Sequence, residues 1–307
     1  MKEEPQRRNS PTRGVYFLSN DTMYEFTIAF LNSFRTYNPS VSLCFIPYND
    51  NVDNILALKE AYHFEVYQDN ELLKECDAMS LQLHDEIKPA YRKLVIWKGI
   101  YDQFIYIDID TVVLADLSFA FEFLADHDCL TATSNIRAIR KFVWLDGIEE
   151  TGLLTADQIA YAANTGFVVS KKIFTDFGNI KDKLEESRLL KNYMELNCME
   201  QPFLNYLIVT SGKPYTSLCE LGYSERQRRV LYEYWGGEEE AEIINGKMYR
   251  KTGGQICFIH WSGVWRLKDK MPNKKIWDHY RYMNDPQTGV GNLTIYSNPI
   301  EIPADIL

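Results

Sequence analysis

The chain has 307 residues, of which 46% are hydrophobic and 14% aromatic, so it can bury the core of one large domain or of a domain with an appended lobe. Its formal net charge is −10, which argues against sequence-independent nucleic-acid binding, because such proteins present a basic face. The charge does not exclude an anionic small-molecule ligand, since local charge decides that binding.

Strands and helices alternate in the first part of the chain. Residues 1–13 are polar and predict a disordered tail, after which a strand begins at Gly14. A helix follows, in which apolar residues recur at helical spacing from Tyr24 to Tyr37. A strand, a helix and a short strand come next, over residues 41–50, 51–64 and 64–67. This β-α-β-α-β order predicts an α/β fold with a mostly parallel central sheet and helices on both faces.

The alternation continues through the middle of the chain. Helices are predicted over residues 88–103, 119–128, 171–194 and 198–211, and strands over 104–110, 130–135, 162–170 and 256–260. Residues 213–255 have no sustained period and predict a hairpin-like insert or lid. We therefore expect one domain over residues 14–270 and an irregular tail over 271–307.

The distribution of cysteines and the lack of long apolar runs indicate the cellular compartment in which we expect the protein. The six cysteines are scattered without a C-x-x-C pair, which is typical of buried free thiols in a reducing environment. The first fourteen residues carry no apolar signal core, and no run approaches the roughly 18 residues of a membrane span. These features predict a cytoplasmic protein.

One apolar, β-branched stretch, IYIDIDTVVLAD, contains the two carboxylates Asp108 and Asp110. Side chains two residues apart on a strand face the same side. Ligands of open parallel sheets bind beyond the carboxyl ends of the strands. Two convergent carboxylates there suit a hard divalent cation, which would compensate their charge. A solvated strand end or a helix cap is the alternative explanation for this pair taken alone.

Five short motifs occur in order around this pair. They are YRKL at 91–94, YIDID at 106–110, NTG at 164–166, EQ at 200–201 and HWSGVWR at 260–266. In this combination, residues 14–267 resemble the GT-A-type nucleotide-sugar glycosyltransferases, most closely family 8, the glycogenin-like and galactosyltransferase-like retaining enzymes. The resemblance implies a Rossmann-like GT-A fold. It also implies hexose transfer, with retention, from a nucleotide sugar such as a UDP-sugar to a hydroxyl acceptor.

The resemblance further implies a metal and diphosphate site. Asp108, Asp110 and His260 would hold Mn²⁺ or Mg²⁺ on the nucleotide diphosphate, and the histidine favours Mn²⁺. Arg266 stands where the family has a lysine that contacts the diphosphate, and Gly263 would line the same site. Taken alone, His260 is better explained as a buried core histidine, and the alternative for Arg266 is a surface charge.

Other motif residues would bind the donor sugar. Lys93, or Arg92 if the helix register shifts by one residue, matches the family's basic residue near the sugar or phosphate. Asn164 would touch the sugar, Glu200 would bind its hydroxyls, and Gln201 would lie beside the reacting face. Glu200 replaces the family's aspartate and is longer by one methylene, so the donor or the pocket shape can differ. A strand-entry turn for Asn164 and a helix cap at 200–201 are the structural alternatives.

Residues after the first strand would contact the nucleobase, which is usually uracil in this family. Asn20, Asp21 and Tyr24 lie near the corresponding place, but their spacing matches only loosely. Tyr24 has an equally good explanation as the first core residue of its helix.

The acceptor is not identified by the sequence and can be a saccharide, a lipid-linked glycan or a protein; the insert at 213–255 would shape its site. Two other functions stay open. A nucleotidyltransferase on a related sheet is disfavoured, because LSNDTMYEF at 18–26 has neither the glycine nor the basic residue of a triphosphate loop. A non-catalytic domain that binds a nucleotide sugar or a partner is disfavoured by the complete metal set, although Glu200 in place of aspartate leaves room for it.

Overall fold

The computed structural model describes residues 10–222, 230–235, 241–244, 247–250, 255–263 and 271–285. The strands are β1 (Arg13–Ser19), β2 (Leu43–Pro47), β3 (Glu65–Val66), β4 (Gln103–Ile107), β5 (Thr111–Val113), β6 (Cys129–Thr131), β7 (Phe167–Lys171), β8 (Tyr215–Ser217), β9 (Val230–Trp235), β10 (Ala241–Ile244), β11 (Lys247–Arg250) and β12 (Gln255–His260). The α-helices are α1 (Tyr24–Tyr37), α2 (Asp53–Leu56), α3 (Lys59–Tyr62), α4 (Asn70–His84), α5 (Arg137–Arg140), α6 (Ala156–Tyr161), α7 (Phe177–Ser187), α8 (Gln201–Val209), α9 (Leu218–Gly222) and α10 (Lys274–Arg281). Short 3₁₀ helices cover Asp21–Met23, Pro89–Lys98, Ser118–Ala125, Ile148–Thr151, Lys172–Phe174, Arg188–Tyr193 and Leu196–Cys198.

The larger sheet has seven strands in the order β3-β2-β1-β4-β7-β6-β8. The pairs β3–β2, β2–β1, β1–β4 and β6–β8 are parallel, whereas β7 runs antiparallel to both β4 and β6. The prediction of a mostly parallel central sheet flanked by helices is therefore confirmed.

Side-chain alternation along β1 divides the core into two layers. Val15 and Phe17 belong to one hydrophobic cluster, and Tyr16 and Leu18 belong to the other. On the first face, the ring of Phe30 in α1 lies 5.5 Å from that of Phe17. On the second face, apolar residues of α4, α8 and the 3₁₀ helix at 89–98 cover the sheet. Because both faces are covered, the central strands read as continuous apolar runs.

The smaller sheet connects the end of β4 to the C-terminal part of the chain. Its strand order is β10-β11-β12-β5, and β9 also pairs with β12. β12 is antiparallel to β5, and this register places His260 opposite Thr111. Since Thr111 directly follows Asp110, the pairing of β5 with β12 brings a residue from the C-terminal part of the chain to the end of the large sheet.

Several helices differ from the sequence-based predictions. The helix predicted over 51–64 is split into α2 and α3, and 3₁₀ helices form within the predicted segments 88–103 and 119–128. The helix α4 was not predicted, although Asp69 caps its start by accepting a hydrogen bond from the backbone N–H of Leu72 at 3.0 Å. Arg13, the last residue of the expected disordered tail, begins β1, and residues 1–9 of that tail lie outside the described residues.

The segments predicted to be irregular contain regular elements. The expected irregular tail includes α10, whose Trp277 and Tyr280 are buried in the core cluster that contains α1. The hydroxyl of Tyr280 is 2.9 Å from that of Tyr37, so polar as well as apolar contacts hold α10 on the domain. Within 213–255, β10 and β11 form an antiparallel pair, while β8 joins the larger sheet.

The six cysteines all lie in the described ranges, and no disulfide bond joins any two of them. Cys198 and Cys219 are half-buried, and the other four are buried. Among the helices of the described ranges, none has the length and apolar character that crossing a membrane requires.

Candidate active site

A cleft of about 360 Å³ opens at the carboxyl ends of β1 and β4. Three segments beyond the strand ends line it: Asn20 lies in the turn after β1, and Asp108 and Asp110 lie in the bend after β4. The third is the 3₁₀ helix at 89–98, which contributes Lys93. Glu200, immediately before α8, also lines the cleft. This is the crevice in which open α/β sheets bind their ligands.

Asp108 and Asp110, which line this cleft, converge with His260, which is buried beside them and does not line the cleft itself. One ligand atom of each side chain lies within 4.8 Å of the others. His260 Nε2 is 3.2 Å from Asp110 Oδ1 and 4.0 Å from Asp108 Oδ2. The sequence argument expected strand alternation to align the carboxylates, but β4 ends at Ile107 and the chain bends after it. The hydroxyl of Thr111 closes this bend by donating to the carbonyl of Asp108 at 2.7 Å.

The imidazole of His260 is fixed from behind by Glu233 of β9. Glu233 Oε1 lies 2.6 Å from His260 Nδ1, and both side chains are buried. His260 Nε2, on the side of Asp108 and Asp110, has no hydrogen-bond partner among the described residues. The sequence analysis missed Glu233, although a single carboxylate in the apolar and aromatic run VLYEYW was a visible signal.

The backbone of Gly166 approaches the same three side chains closely. Its carbonyl accepts a hydrogen bond from the backbone N–H of Asp108 at 2.8 Å. A Cβ at this position would lie 2.5 Å from His260 Cε1 and 2.8 Å from Asp108 Oδ2. Real Cβ contacts are longer than this, so only glycine leaves room for the histidine and the carboxylate together.

The ammonium of Lys93 is buried beneath the cleft and faces two carboxylates. It contacts Glu200 Oε1 directly, lies 3.4 Å from Asp108 Oδ1 and donates to the carbonyl of Thr165 at 3.3 Å. Burial alone would lower the pKa of Lys93, but Asp108 and Glu200 outweigh it and raise this pKa. Burial would raise the pKa of Asp108, whereas Lys93 and His260 hold it below its ordinary value.

The cluster carries more acidic than basic groups. The carboxylates of Asp108, Glu200 and Glu233, together with that of Asp110, share one lysine ammonium and one histidine. Two carboxylates and an imidazole nitrogen without a partner make a donor set that suits Mn²⁺ or Mg²⁺. The residues present therefore fit a divalent cation, which would offset the excess negative charge.

The three residues predicted to contact the nucleobase separate in the structure. Asn20 lines the cleft, and its buried Oδ1 has no hydrogen-bond partner among the described residues. The carboxylate of Asp21 instead accepts hydrogen bonds from the backbone N–H groups of Asn54 and Ile55 at the start of α2. Tyr24 packs against the hydrophobic core and does not line the cleft. Of this set, the structure brings only Asn20 to the cleft.

The structure distinguishes between Lys93 and Arg92. The guanidinium of Arg92 forms hydrogen bonds of 2.6 to 3.1 Å with both carboxylate oxygens of Asp77 and donates to the carbonyl of Pro47 at 3.1 Å. These contacts hold Arg92 outside the cleft, whereas Lys93 lines it.

Asn164 and Gln201 border the site without lining the cleft. The side-chain oxygen of Asn164 accepts from the backbone N–H of Gly166 at 2.7 Å. Gln201 accepts from the backbone N–H of Thr165 at 3.1 Å and donates to the carbonyl of Phe142 at 3.0 Å. Both side chains therefore order the loop that contains Gly166.

The last predicted segment is only partly described. Gly263 is exposed in a turn with φ of 70° and does not line the cleft. Arg266 lies outside the described residues.

Comparisons with known proteins identify the fold. No protein-family model matches the chain, and no curated protein sequence matches it. The galactosyltransferase LgtC, solved in complex with donor and acceptor sugar analogs, is similar with a TM-score of 0.60 and 12% identity, over 88% of this chain and 95% of that chain. An active-site mutant of LgtC has a TM-score of 0.56 and 12% identity, over 87% and 94%.

The bifunctional glycosyltransferase WbbM in its apo form is similar with a TM-score of 0.59 and 14% identity, over 90% of this chain. The matched region spans half the length of the WbbM chain. At these identities the similarity shows the fold alone. The chain has the GT-A fold of these glycosyltransferases, as its sequence motifs predicted.

Proposed function

We propose that the chain is a metal-dependent glycosyltransferase that transfers a hexose from a nucleotide sugar, in the first instance a UDP-hexose, to a hydroxyl acceptor with retention. The observation that carries this proposal is the convergence of Asp108, Asp110 and His260 at the end of β4 in a GT-A fold. The buried Lys93–Glu200 pair beside them adds charged groups suited to a sugar and its phosphates. UDP and retention are carried over from the family resemblance, and a cytoplasmic location is a prediction from the sequence.

Asp108, Asp110 and His260 would hold the cation, with Mn²⁺ favoured over Mg²⁺ by the imidazole ligand. When bound, the ion would act as a Lewis acid that stabilises the charge developing on the leaving diphosphate. Arg266, placed by sequence alone, would contact the same diphosphate through its guanidinium.

The remaining residues of the cleft would bind and orient the donor. The unpartnered Oδ1 of Asn20 would accept the ring N–H of a uracil. Glu200 would accept hydrogen bonds from hydroxyls of the sugar, and Lys93 would hold Glu200 in place. Asn164 and Gln201 would act by ordering the Gly166 loop, since their side chains are engaged with it in this structure.

In the proposed reaction, the bond between the anomeric carbon and the β-phosphate oxygen breaks, and its electron pair leaves with UDP. The acceptor oxygen bonds to the anomeric carbon on the same face, and its proton passes to an oxygen of the leaving phosphate. This route needs no side-chain nucleophile. Residues 213–255 would shape the acceptor site, as the sequence analysis expects.

A thermal-shift screen of nucleotide sugars with and without Mn²⁺ tests the proposal. A ligand that binds only the folded state raises the free energy of unfolding by about 2.7 kcal/mol when its concentration is one hundred times its dissociation constant. We expect a manganese-dependent rise in melting temperature with one UDP-hexose, and loss of that rise in Asp110→Asn. A rise with nucleoside triphosphates alone would indicate a nucleotidyltransferase. No rise with any of these ligands would favour a non-catalytic domain, and either result would overturn the proposal.

A further inference from the structure

We infer that Glu233 is the positioning residue of the metal site: its carboxylate holds the His260 ring so that Nε2 presents its lone pair to the cation. This inference rests on the proposed function, because it assumes that Asp108, Asp110 and His260 bind a divalent cation. It adds to that site a residue from β9, which belongs to the segment that the sequence predicts to be an insert.

The contact between the two side chains determines which ring nitrogen carries hydrogen. An ionised carboxylate can only accept hydrogen bonds, so a 2.6 Å contact between Glu233 Oε1 and His260 Nδ1 requires a hydrogen on Nδ1. Nε2, which lies 3.2 Å from Asp110 Oδ1, is then the ring nitrogen left to bind the cation, which would displace any hydrogen that Nε2 shares with that carboxylate. A ligating histidine fixed by a carboxylate on its second nitrogen is a recurrent device for orienting the ring and strengthening its basicity.

The fold explains why this carboxylate reaches the ring. β9 runs parallel to β12, with Glu233 opposite Phe258 and Trp235 opposite His260. Glu233 is therefore a diagonal neighbour of His260, two positions away on the adjacent strand, which is within reach of long side chains. The same pairing buries Glu233, so its contact with His260 is shielded from water.

Burial of this carboxylate is costly unless a partner compensates it. Its second oxygen, Oε2, has no hydrogen-bond partner among the described residues, so the His260 ring is the contact that the structure gives it. A carboxylate whose only role was to join two strands would stabilise the fold most if both of its oxygens accepted hydrogen bonds. The single contact with a ring that faces two further carboxylates points to a role at the metal site.

Manganese affinity, measured without nucleotide, tests the inference. Free Mn²⁺ is followed by electron paramagnetic resonance during titration of the full chain, its Glu233→Gln variant and its Glu242→Gln variant. Glu242 is an exposed residue of β10 in the same sheet, so its variant controls for the loss of one charge. We expect Glu233→Gln to weaken Mn²⁺ binding by about 10-fold or more, the range seen for such outer residues, and Glu242→Gln to leave it unchanged.

A second readout separates positioning from a structural role. If Glu233 acts through the metal ligand, saturating Mn²⁺ should restore UDP-hexose turnover in Glu233→Gln. The Mn²⁺ concentration that gives half the maximal rate should then rise by a larger factor than the factor by which kcat falls. A purely structural residue would lower kcat without rescue by metal, and that outcome would overturn the inference.

Failure of the inference and failure of the proposed function give different results. Wild-type affinity in Glu233→Gln, beside lost affinity in His260→Ala, would overturn the role of Glu233 alone. Absence of Mn²⁺ binding by the wild-type chain would overturn both. If Glu233→Gln does not fold, Glu233→Asp keeps the charge but falls short of the ring by a methylene. It should also weaken Mn²⁺ binding, and wild-type affinity in that variant would count against the inference.

Discussion

The ammonium of Lys93 lies between the carboxylates of Glu200 and Asp108, in direct contact with the first and 3.4 Å from Oδ1 of the second. These residues come from the 3₁₀ helix at 89–98, the start of α8 and the bend after β4. Their ion pairs therefore join three walls of the cleft. This arrangement fixes Glu200 at the cleft, where we propose that it binds the sugar, and it supports the folded state at the same time.

The Lys93–Glu200 pair should be strongly coupled. Lys93→Met leaves two carboxylates without their cation and is expected to lower the free energy of unfolding by about 3 kcal/mol or more. The Lys93→Met, Glu200→Leu double variant should lose less than the sum of the two single losses, with a coupling of about 1–3 kcal/mol. Urea unfolding of the four proteins measures this coupling. Additive losses would show that the contact contributes no coupling.

Asp110→Asn should separate activity from folding. The change removes one proposed metal ligand where it opens onto the cleft, so metal-dependent cleavage of UDP-hexose should fall below detection. The free energy of unfolding should change by about 1 kcal/mol or less, because shape and size are preserved. The exposed Asp126→Asn is the matched control and should retain full activity. Wild-type turnover in Asp110→Asn would remove this residue from the metal site.

Gly166→Ala tests the close approach of the Gly166 backbone to the proposed ligands. A Cβ here would meet His260 Cε1 at 2.5 Å and Asp108 Oδ2 at 2.8 Å, so both side chains would have to move. We expect weaker Mn²⁺ binding and a loss of stability of about 1–3 kcal/mol from overpacking. In Gly178→Ala, the new Cβ would have a single close contact, the Asp176 carboxylate at 3.2 Å, and it should be neutral or stabilising in α7. Equal Mn²⁺ affinity in both variants and the wild type would contradict the role of Gly166.

His84 should make stability fall at acidic pH. Burial, together with the nearby Lys88, lowers the pKa of His84 below its ordinary value of 6.5. The unfolded chain therefore binds a proton more readily than the folded chain. The stability that His84 contributes is present above the unfolded pKa and is lost as pH falls through the folded pKa.

Replacement of His84 tests this pH dependence. His84→Asn removes the titrating group, so the difference in free energy of unfolding between wild type and variant should shrink as pH falls below 6.5. Chemical denaturation at several pH values from 7 down to about 5 measures this difference, spanning the ordinary range of histidine. A difference that stays constant with pH would contradict the prediction.

Local sequence patterns predicted the sheet and singled out Asp108 and Asp110 for identifiable reasons, whereas His260 was added by the family resemblance. β1 and β4 are apolar on both faces because helices cover both sides, and this pattern is visible in the sequence. Asp108, Asp110 and His260 stand out as polar residues at the ends of such strands, and the structure brings them together. The bend that aligns the two carboxylates was not visible, since strand geometry was expected there.

Other features depend on register and on contacts between distant segments. Lys93 and Arg92 could not be separated by helical periodicity, because the segment forms a 3₁₀ helix with three residues per turn rather than 3.6. Glu233 reaches His260 only because β9 pairs with β12, and no local pattern encodes that pairing. The short helix α10 was missed because its apolar residues are few, although Ile276, Trp277 and Tyr280 have helical spacing.

Calorimetric titration of UDP into the wild-type chain, with Mn²⁺ and with a metal chelator, tests the central claim most directly. If the chain is the proposed glycosyltransferase, UDP should bind only when Mn²⁺ is present, and this binding should be lost in Asp110→Asn. Equal binding with and without the metal, or no binding of UDP in either condition, would contradict a metal-dependent UDP-sugar site at Asp108, Asp110 and His260.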